Sequence, residues 1–114
     1  MNSIFIDCTL GISGDMLASA LLDLGVPLSI LMDNLASLNI DKNYKLEFNE
    51  GDSEGIKGIV CTKTEIQFME LPRSLNDIKN LLQDSSLNDY VKKKSIRVFE
   101  ILAEAEAIVH GKEI

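Results

Sequence analysis

Apolar and polar positions along the 114-residue chain follow two different periods, and each change of period predicts a change of element. Over residues 16–38 apolar side chains recur every three or four positions, which predicts two helices separated by Gly25 and Pro27. Over residues 44–68 they alternate with charged and polar ones, which predicts two strands joined by a polar turn, an antiparallel hairpin that Pro72 ends. The inward side chains predicted for the first two helices are Met16, Leu17, Ala20, Leu21, Leu24, Leu28, Leu31, Leu35 and Leu38.

In each of the two predicted strands, one side is more apolar than the other. In the first strand, the side chains predicted to face inward are Tyr44, Leu46 and Phe48. In the second, one side comprises Ile56, Gly58, Val60, Thr62, Thr64, Ile66 and Phe68. The opposite, polar side of that strand includes Lys57, Lys63, Glu65 and Gln67, and it also bears Cys61.

The two ends of the chain add three further elements. Residues 3–8 are short, apolar and β-branched, which predicts a buried strand. Ser74 can cap a helix that continues to about residue 84, with Asp77 at the capping-box position. A last helix is predicted over residues 87–109. The inward positions of these two helices are Ile78, Leu81 and Leu82 in one, and Val91, Val98, Leu102, Ala105 and Val109 in the other.

The predicted order of elements is β-α-α-β-β-α-α, which indicates an α+β or α/β fold. A three-stranded sheet that includes the hairpin would be covered by about four helices. Residues 1–114 are expected to form a single domain, because the sequence contains no repeat, linker or low-complexity segment.

Composition and charge exclude several classes of function. A net charge of −7 argues against general nucleic-acid binding, which needs a basic surface. No run approaches the roughly 18 apolar residues of a membrane span. The two cysteines are far apart and form no CxxC pair, which favours the reducing cytoplasm.

Candidate chemistry is concentrated in the Asp7–Met16 segment, between the first predicted strand and the first helix. Ser13 is well placed to cap that helix, with Asp15 in its first turn. Loop amides near Gly11 and Gly14 could bind an anion, and Asp7 with Asp15 could hold a hard divalent cation. The same residues are equally typical of a capped turn that has only a structural role.

Two further residues have alternative interpretations. Cys8 can be a small buried thiol, or a soft ligand for a metal such as nickel if the strand end is open. His110, the only histidine, can stabilise the end of the last helix or contribute to a metal site.

These motifs resemble a known family. The chain contains Ile6-Asp7-Cys8, then Gly11-Ile12-Ser13-Gly14-Asp15-Met16, and later a block from Leu102-Ala103-Glu104-Ala105-Glu106-Ala107 to Val109-His110-Gly111. Together they resemble the LarC family of nickel-insertion proteins. The likeness extends over nearly the whole chain.

The resemblance implies a function that composition does not. Family members insert nickel into pyridinium-3,5-bisthiocarboxylic acid mononucleotide and so form the nickel-pincer cofactor of lactate racemase-type enzymes. This is a chelatase-type lyase reaction, associated with CTP hydrolysis and with Mn or Mg. Members continue past the matching VHG block into an HFHEVGA-like motif and a C-terminal domain, so the resemblance implies an N-terminal domain of a longer protein. The nucleotide site is then expected in the C-terminal part.

The leading hypothesis assigns roles to the Asp7–Met16 segment on this basis. Asp7 and Asp15 would be the catalytic and metal-binding carboxylates, with Cys8 and His110 as further metal ligands. The cofactor-binding residues would be Gly11, Ser13 and Gly14. One alternative is a non-catalytic module that docks to a C-terminal domain or forms a homo-oligomer; another is a small nucleotide-handling enzyme that uses the two aspartates.

Overall fold

The computed structural model describes residues 1–67 and 74–111, and it has an α+β fold. Its elements in chain order are α1 (Gly14–Asp23), α2 (Leu28–Ala36), β1 (Tyr44–Ser53), β2 (Ile56–Ile66), α3 (Leu75–Asp84) and α4 (Asp89–His110). The predicted hairpin and all four predicted helices are confirmed. Phe68 and Pro72, predicted to lie at the end of the second strand, are outside the described residues.

The sheet of the described residues has two strands, β1 and β2, and the predicted third strand is not confirmed. Residues 3–8 form no helix or strand, and all of their side chains are exposed, including Phe5 at 90%. A strand needs a hydrogen-bonding neighbour as well as β-branched residues. The short apolar run supplies only the residues, so the observed order begins with a helix.

By its internal contacts the chain divides into two compact units. The first comprises Met1–Leu28 and Leu46–Thr64, and so contains α1 and most of the hairpin. Its most deeply buried residues are Ser19 and Leu22, both on α1. The second comprises Ser29–Lys45 and Glu65–Ile114, and among its described residues Leu82 and Ser85 are the most buried.

The hairpin confirms the predicted alternation in β1 but not in β2. Tyr44, Leu46 and Phe48 are half-buried, while the charged residues between them are exposed. In β2 the half-buried residues are instead Gly58, Ile59, Cys61 and Lys63, while Val60 is 47% exposed. The side of β2 predicted to be polar is therefore the better covered one, because Ile59 and Cys61 pack there.

Cross-strand contacts fix the register of the hairpin. The side-chain amide of Asn49 donates to Oγ1 of Thr62 at 2.7 Å. Gly51 lies against Val60, and a Cβ added at position 51 would be only 2.5 Å from Cγ2 of Val60. Beyond Gly51 the turn closes with the amide of Gly55, which donates to Oδ1 of Asp52 at 2.9 Å.

Helices α3 and α4 pack against each other in the second unit. Ser74 caps α3 as predicted, since its Oγ accepts from the amide of Asp77 at 3.0 Å. Leu82 is only 5% exposed. Lys79 Nζ forms an ion pair with Glu100 at 2.8 Å, and Lys92 Nζ donates to the carbonyl of Gln83 at 2.8 Å.

The covered face of α4 differs from the predicted one. Val98, Leu102 and Val109 are 64%, 52% and 79% exposed, and of the predicted positions Val91 alone is half-buried. The half-buried positions of α4 are Val91, Lys92, Ser95, Ile96, Phe99, Glu100, Ala103 and Ala107. Apolar residues occur on two sides of this helix, so periodicity predicted the helix but not its orientation.

Candidate functional site

The Asp7–Met16 segment forms two short hydrogen-bonded turns followed by the start of α1. In the first turn, Oδ1 of Asp7 accepts from the backbone amide of Thr9 at 2.9 Å and from the Thr9 hydroxyl. An aspartate that accepts from the amide two residues ahead is the standard Asx-turn arrangement. The chain therefore turns at Asp7 because of local hydrogen bonds, with the carboxylate on the surface.

The second turn is closed through Gly11. Its amide donates to the carbonyl of Cys8 at 2.9 Å, and its φ is +90°. A side chain is strained at that angle, so glycine is the residue that suits this position. A Cβ added at Gly11 or at Gly14 would meet no atom within 4 Å, so the surface around both glycines is open.

Ser13 begins α1 and also contacts Asp15. Its Oγ accepts from the amide of Met16 at 3.3 Å, which confirms the predicted N-cap. The same hydroxyl donates to Oδ1 of Asp15. The amide of Leu17 donates to the carbonyl of Ser13 at 3.0 Å, so the first turn of the helix uses these two amides internally.

Hydrogen bonds lower the pKa of both aspartates. For Asp7 the main cause is the Thr9 hydroxyl, followed by the Thr9 amide. For Asp15 the main cause is the Ser13 hydroxyl, opposed by a smaller effect of burial. Each donor stabilises the charged form, so both carboxylates are ionised at neutral pH.

The other predicted ligands lie at the surface. Cys8 is an exposed free thiol, so the interpretation as a buried thiol is wrong. His110 lies in the last turn of α4, in the second unit, and is exposed. Across residues 1–67 and 74–111, no three His, Cys, Asp or Glu residues are grouped closely enough to hold a metal ion.

Sequence reasoning missed one polar residue of α1. The Oγ of Ser19 is buried and has no hydrogen-bond partner among the described atoms. Ser19 lines a groove that also includes Asp15 and Asp23 on the helix and Ile59 on β2. A single serine within an apolar helix forms no motif, so packing was needed to find it.

The described fold is that of an α+β protein whose first helix begins at an acidic, glycine-containing turn. A family model described as nickel insertion protein matches residues 4–114. The chain therefore belongs to the nickel insertion protein family, which confirms the resemblance of its motifs.

Three relatives named pyridinium-3,5-bisthiocarboxylic acid mononucleotide nickel insertion protein show the extent of the match. The chain is 37% identical to that of Staphylococcus saprophyticus over 115 residues, 99% of this chain and 28% of the relative. It is 35% identical to that of Clostridium kluyveri over 128 residues, which cover 100% of this chain and 31% of the relative. It is 38% identical to that of Desulfitobacterium hafniense over 116 residues, which cover 100% of this chain and 28% of the relative. The chain thus spans less than a third of these relatives' length.

No solved structure matches the chain. In the part of the chain that the structure describes, no helix has the length and apolar character needed to cross a bilayer.

Proposed function

We propose that this chain is the N-terminal domain of a protein that inserts nickel into pyridinium-3,5-bisthiocarboxylic acid mononucleotide. The observation that supports this most directly is the family match over residues 4–114. Relatives of that name are 35–38% identical to nearly the whole chain. We expect the chemistry as a whole to need the remainder of the relatives' length, including any step that uses CTP and Mn or Mg.

Within this function, we assign the Asp7–Met16 segment to the nickel ion rather than to a phosphate. The amides of Thr9, Gly11 and Met16 already donate to acceptors within the segment. An anion at any of these three amides would have to displace its acceptor, and it would lie beside two ionised aspartates. A cation meets carboxylate oxygens instead.

The two carboxylates are suited to a transient contact with nickel as substrate. The hydrogen bonds from Thr9 and Ser13 end on Oδ1 of Asp7 and Asp15, and Oδ2 of each residue is not engaged by them. Carboxylates are hard ligands, whereas the thiocarboxylic groups named in the relatives' substrate offer softer sulfur. Nickel would pass from weaker oxygen ligands to stronger sulfur ligands. Cys8, an exposed thiol in the same segment, is the further metal ligand of this proposal, and the ligand role of His110 stays a prediction.

A calorimetric titration of the chain with NiCl₂ tests the assignment. We expect Asp15→Asn and Asp7→Asn each to weaken nickel binding about tenfold or more, because each removes one charged ligand. Asp33→Asn, at an exposed position of α2, is the matched control and should bind like wild type. Folded variants of Asp7 and Asp15 with unchanged affinity would exclude the Asp7–Met16 segment as the nickel site.

The alternative function, a docking module without chemistry of its own, is supported by a different observation. Helix α4 has apolar side chains that are 52–83% exposed, among them Val98, Leu102, Ile108 and Val109. Apolar surface of this kind is typical of sites that contact another protein surface. We propose a C-terminal domain or a second copy as the partner in that case.

Light scattering after size exclusion separates the two functions when it is combined with the nickel titration. A module that docks to a second copy would self-associate, and Val98→Glu together with Leu102→Glu would make it monomeric. A module that docks to a C-terminal domain would instead be a monomer with exposed apolar surface. Either module would fail to bind nickel. A monomeric chain whose nickel binding depends on Asp15 would contradict the docking alternative.

A further inference from the structure

The groove between α1 and β2 in the first unit has the features of a second ligand site, which shares Asp15 with the Asp7–Met16 segment. It is an open groove of about 340 Å³, and its apolar lining includes Met16 on the helix with Ile59 and Val60 on the strand. Small-molecule sites have volumes of about 300–1,000 Å³ and mostly apolar walls with a few polar groups. Its polar groups on the helix are Asp15, Ser19 and Asp23.

Ser19 is the residue that points to a ligand. It is 6% exposed, and its Oγ has no hydrogen-bond partner among the described atoms. Buried hydroxyl groups in folded proteins are nearly always hydrogen-bonded, and an unpaired one costs free energy. A group that enters the groove and donates to this oxygen would remove that cost.

The charges around the groove determine the sign of the ligand. Asp15, Ser19 and Asp23 are four residues apart, so they follow one another along one face of α1. Among the described residues that line the groove, none is a lysine, arginine or histidine. Asp23 also lies in the last turn of α1, where the helix dipole is negative and no basic side chain is present. An anion would meet only negative charge here, whereas a cation would be attracted at both ends.

The spacing argues for an organic cation rather than a metal ion. Asp15 and Asp23 are eight residues apart, which is about 12 Å along a helix at about 1.5 Å per residue. One metal ion cannot contact both carboxylates over that distance. In the described ranges there is also no cluster of three acidic, histidine or cysteine ligands. Apolar walls between the two aspartates would contact an alkyl chain.

We propose that this groove binds an alkylammonium ion, with its ammonium group between Asp23 and the Ser19 hydroxyl and its alkyl chain on Ile59 and Val60. Gly58 leaves space beside Asp23, since an added Cβ there would already be in van der Waals contact with Oδ2 of Asp23, at 4.0 Å. Asp15 is common to this groove and to the segment proposed for nickel, whereas Ser19 and Asp23 belong to the groove alone. Thiocarboxylic acid and phosphate groups are anions, which this groove does not accommodate.

An NMR titration with 1,5-diaminopentane, at constant ionic strength, tests the proposal. Glutarate has the same number of carbon atoms and the opposite charge, and it serves as the matched control ligand. We expect saturable shifts in the amide signals of residues 19–23 and 58–61 with the diamine, and none there with glutarate. Equal shifts with both compounds, or diamine shifts spread over all acidic surfaces, would overturn the proposal.

Two variants locate the binding. Ser19→Ala and Asp23→Asn should each weaken diamine binding about tenfold, because each removes a hydrogen bond to a charged group. Asp33→Asn should leave it unchanged. Without ligand, Ser19→Ala should not lower the melting temperature, since its hydroxyl makes no hydrogen bond that would be lost. If both groove variants are folded and their diamine binding saturates at the same diamine concentration as in wild type, the site is elsewhere.

A second ligand distinguishes the two natural sources of this chemistry, a free amine and a protein lysine. Nα-acetyl-lysine amide presents the lysine side chain without other charges. Binding as tight as that of the diamine, and equally sensitive to Asp23→Asn, identifies a lysine of a partner protein. Binding at least tenfold weaker, with diamine binding intact, identifies a free diamine that uses both aspartates.

Discussion

The Asp7–Met16 segment and the α3–α4 helix pair acquire their structures in opposite ways. In the segment, the side-chain hydrogen bonds join residues two or three positions apart, as in the bond from the Met16 amide to Ser13. In the helix pair, contacts such as the ion pair of Lys79 with Glu100 join different helices. Bonds between residues two or three positions apart need only the local backbone conformation, whereas the helix pair depends on a core that both helices share. The segment is therefore expected to respond to substitution locally, and the helix pair cooperatively.

Truncation of the helix-pair core gives the largest expected effect. Leu82 is 5% exposed, so Leu82→Ala removes buried apolar atoms and leaves a cavity. We expect the free energy of unfolding to fall by about 2–5 kcal/mol. Urea denaturation monitored by circular dichroism measures it.

Leu102→Ala is the matched control for that substitution. Leu102 is 52% exposed on α4, so the same change of side chain should cost less than about 1 kcal/mol. Equal losses at the two positions would mean that exposure does not distinguish them, and the contrast between core and surface in this unit would be lost.

The two serine caps compare the regions directly. Ser74 accepts from Asp77 N at 3.0 Å, whereas Ser13 accepts from Met16 N at the longer distance of 3.3 Å while donating to Asp15. We expect Ser74→Ala to lower the free energy of unfolding by about 1 kcal/mol, in the range for caps. Ser13→Ala should lower it less. Thermal and urea unfolding of both variants test the order, and a larger loss at Ser13 would reverse the comparison.

Acid should affect the two regions through different partners. The pKa of Asp7 is lowered mainly by the Thr9 hydroxyl, and that of Glu100 mainly by a hydrogen bond from Lys79. A carboxyl whose pKa is lower in the folded state stabilises the fold above its unfolded pKa, about 4. That contribution is lost as the pH falls through the folded pKa.

Carboxyl titration by carbon-13 NMR measures these shifts residue by residue. Thr9→Val should raise the pKa of Asp7 toward its ordinary value and leave that of Glu100 unchanged. Lys79→Met should raise the pKa of Glu100 and leave that of Asp7 unchanged. A pKa of Asp7 that stays low in Thr9→Val would show that the hydroxyl is not its main cause.

The ion pair between α3 and α4 should give the smallest effect. Lys79 and Glu100 are 33% and 30% exposed, so water and salt screen their attraction. A double-mutant cycle with Lys79→Met and Glu100→Gln should show a small favourable coupling that disappears in 1 M NaCl. A coupling that persists at high salt would indicate that packing, rather than charge, joins these residues.

The sequence predicted those parts of the fold that depend on neighbouring residues. Ser13 and Ser74 were recognised as caps because a cap is defined by residues within one helical turn. The hairpin was recognised from the alternation in β1 and the polar turn. The hydrogen bonds of Ser13 with the first turn of α1 were predictable for the same reason, because they join residues two or three positions apart.

What the sequence did not predict depends on contacts between distant residues. Phe5 was expected in a buried strand, but a strand also requires a partner, and the apolar run does not specify one. On α4, Phe99 and Val98 are both apolar, and packing against α3 determines which one is covered. The candidate site divides in the same way. Its turns were predictable, whereas the convergence of Asp7 with Asp15 and the ligand role of His110 stay predictions.

Gly51 has a consequence for how the hairpin can pair. Val60 occupies the space that a side chain at position 51 would need, since an added Cβ would be 2.5 Å from Cγ2 of Val60. An alanine could be fitted there only if the Val60 side chain rotated or the two strands separated locally. Gly51 thus allows the strands to approach at this point, and Gly51→Ala is expected to weaken their pairing there.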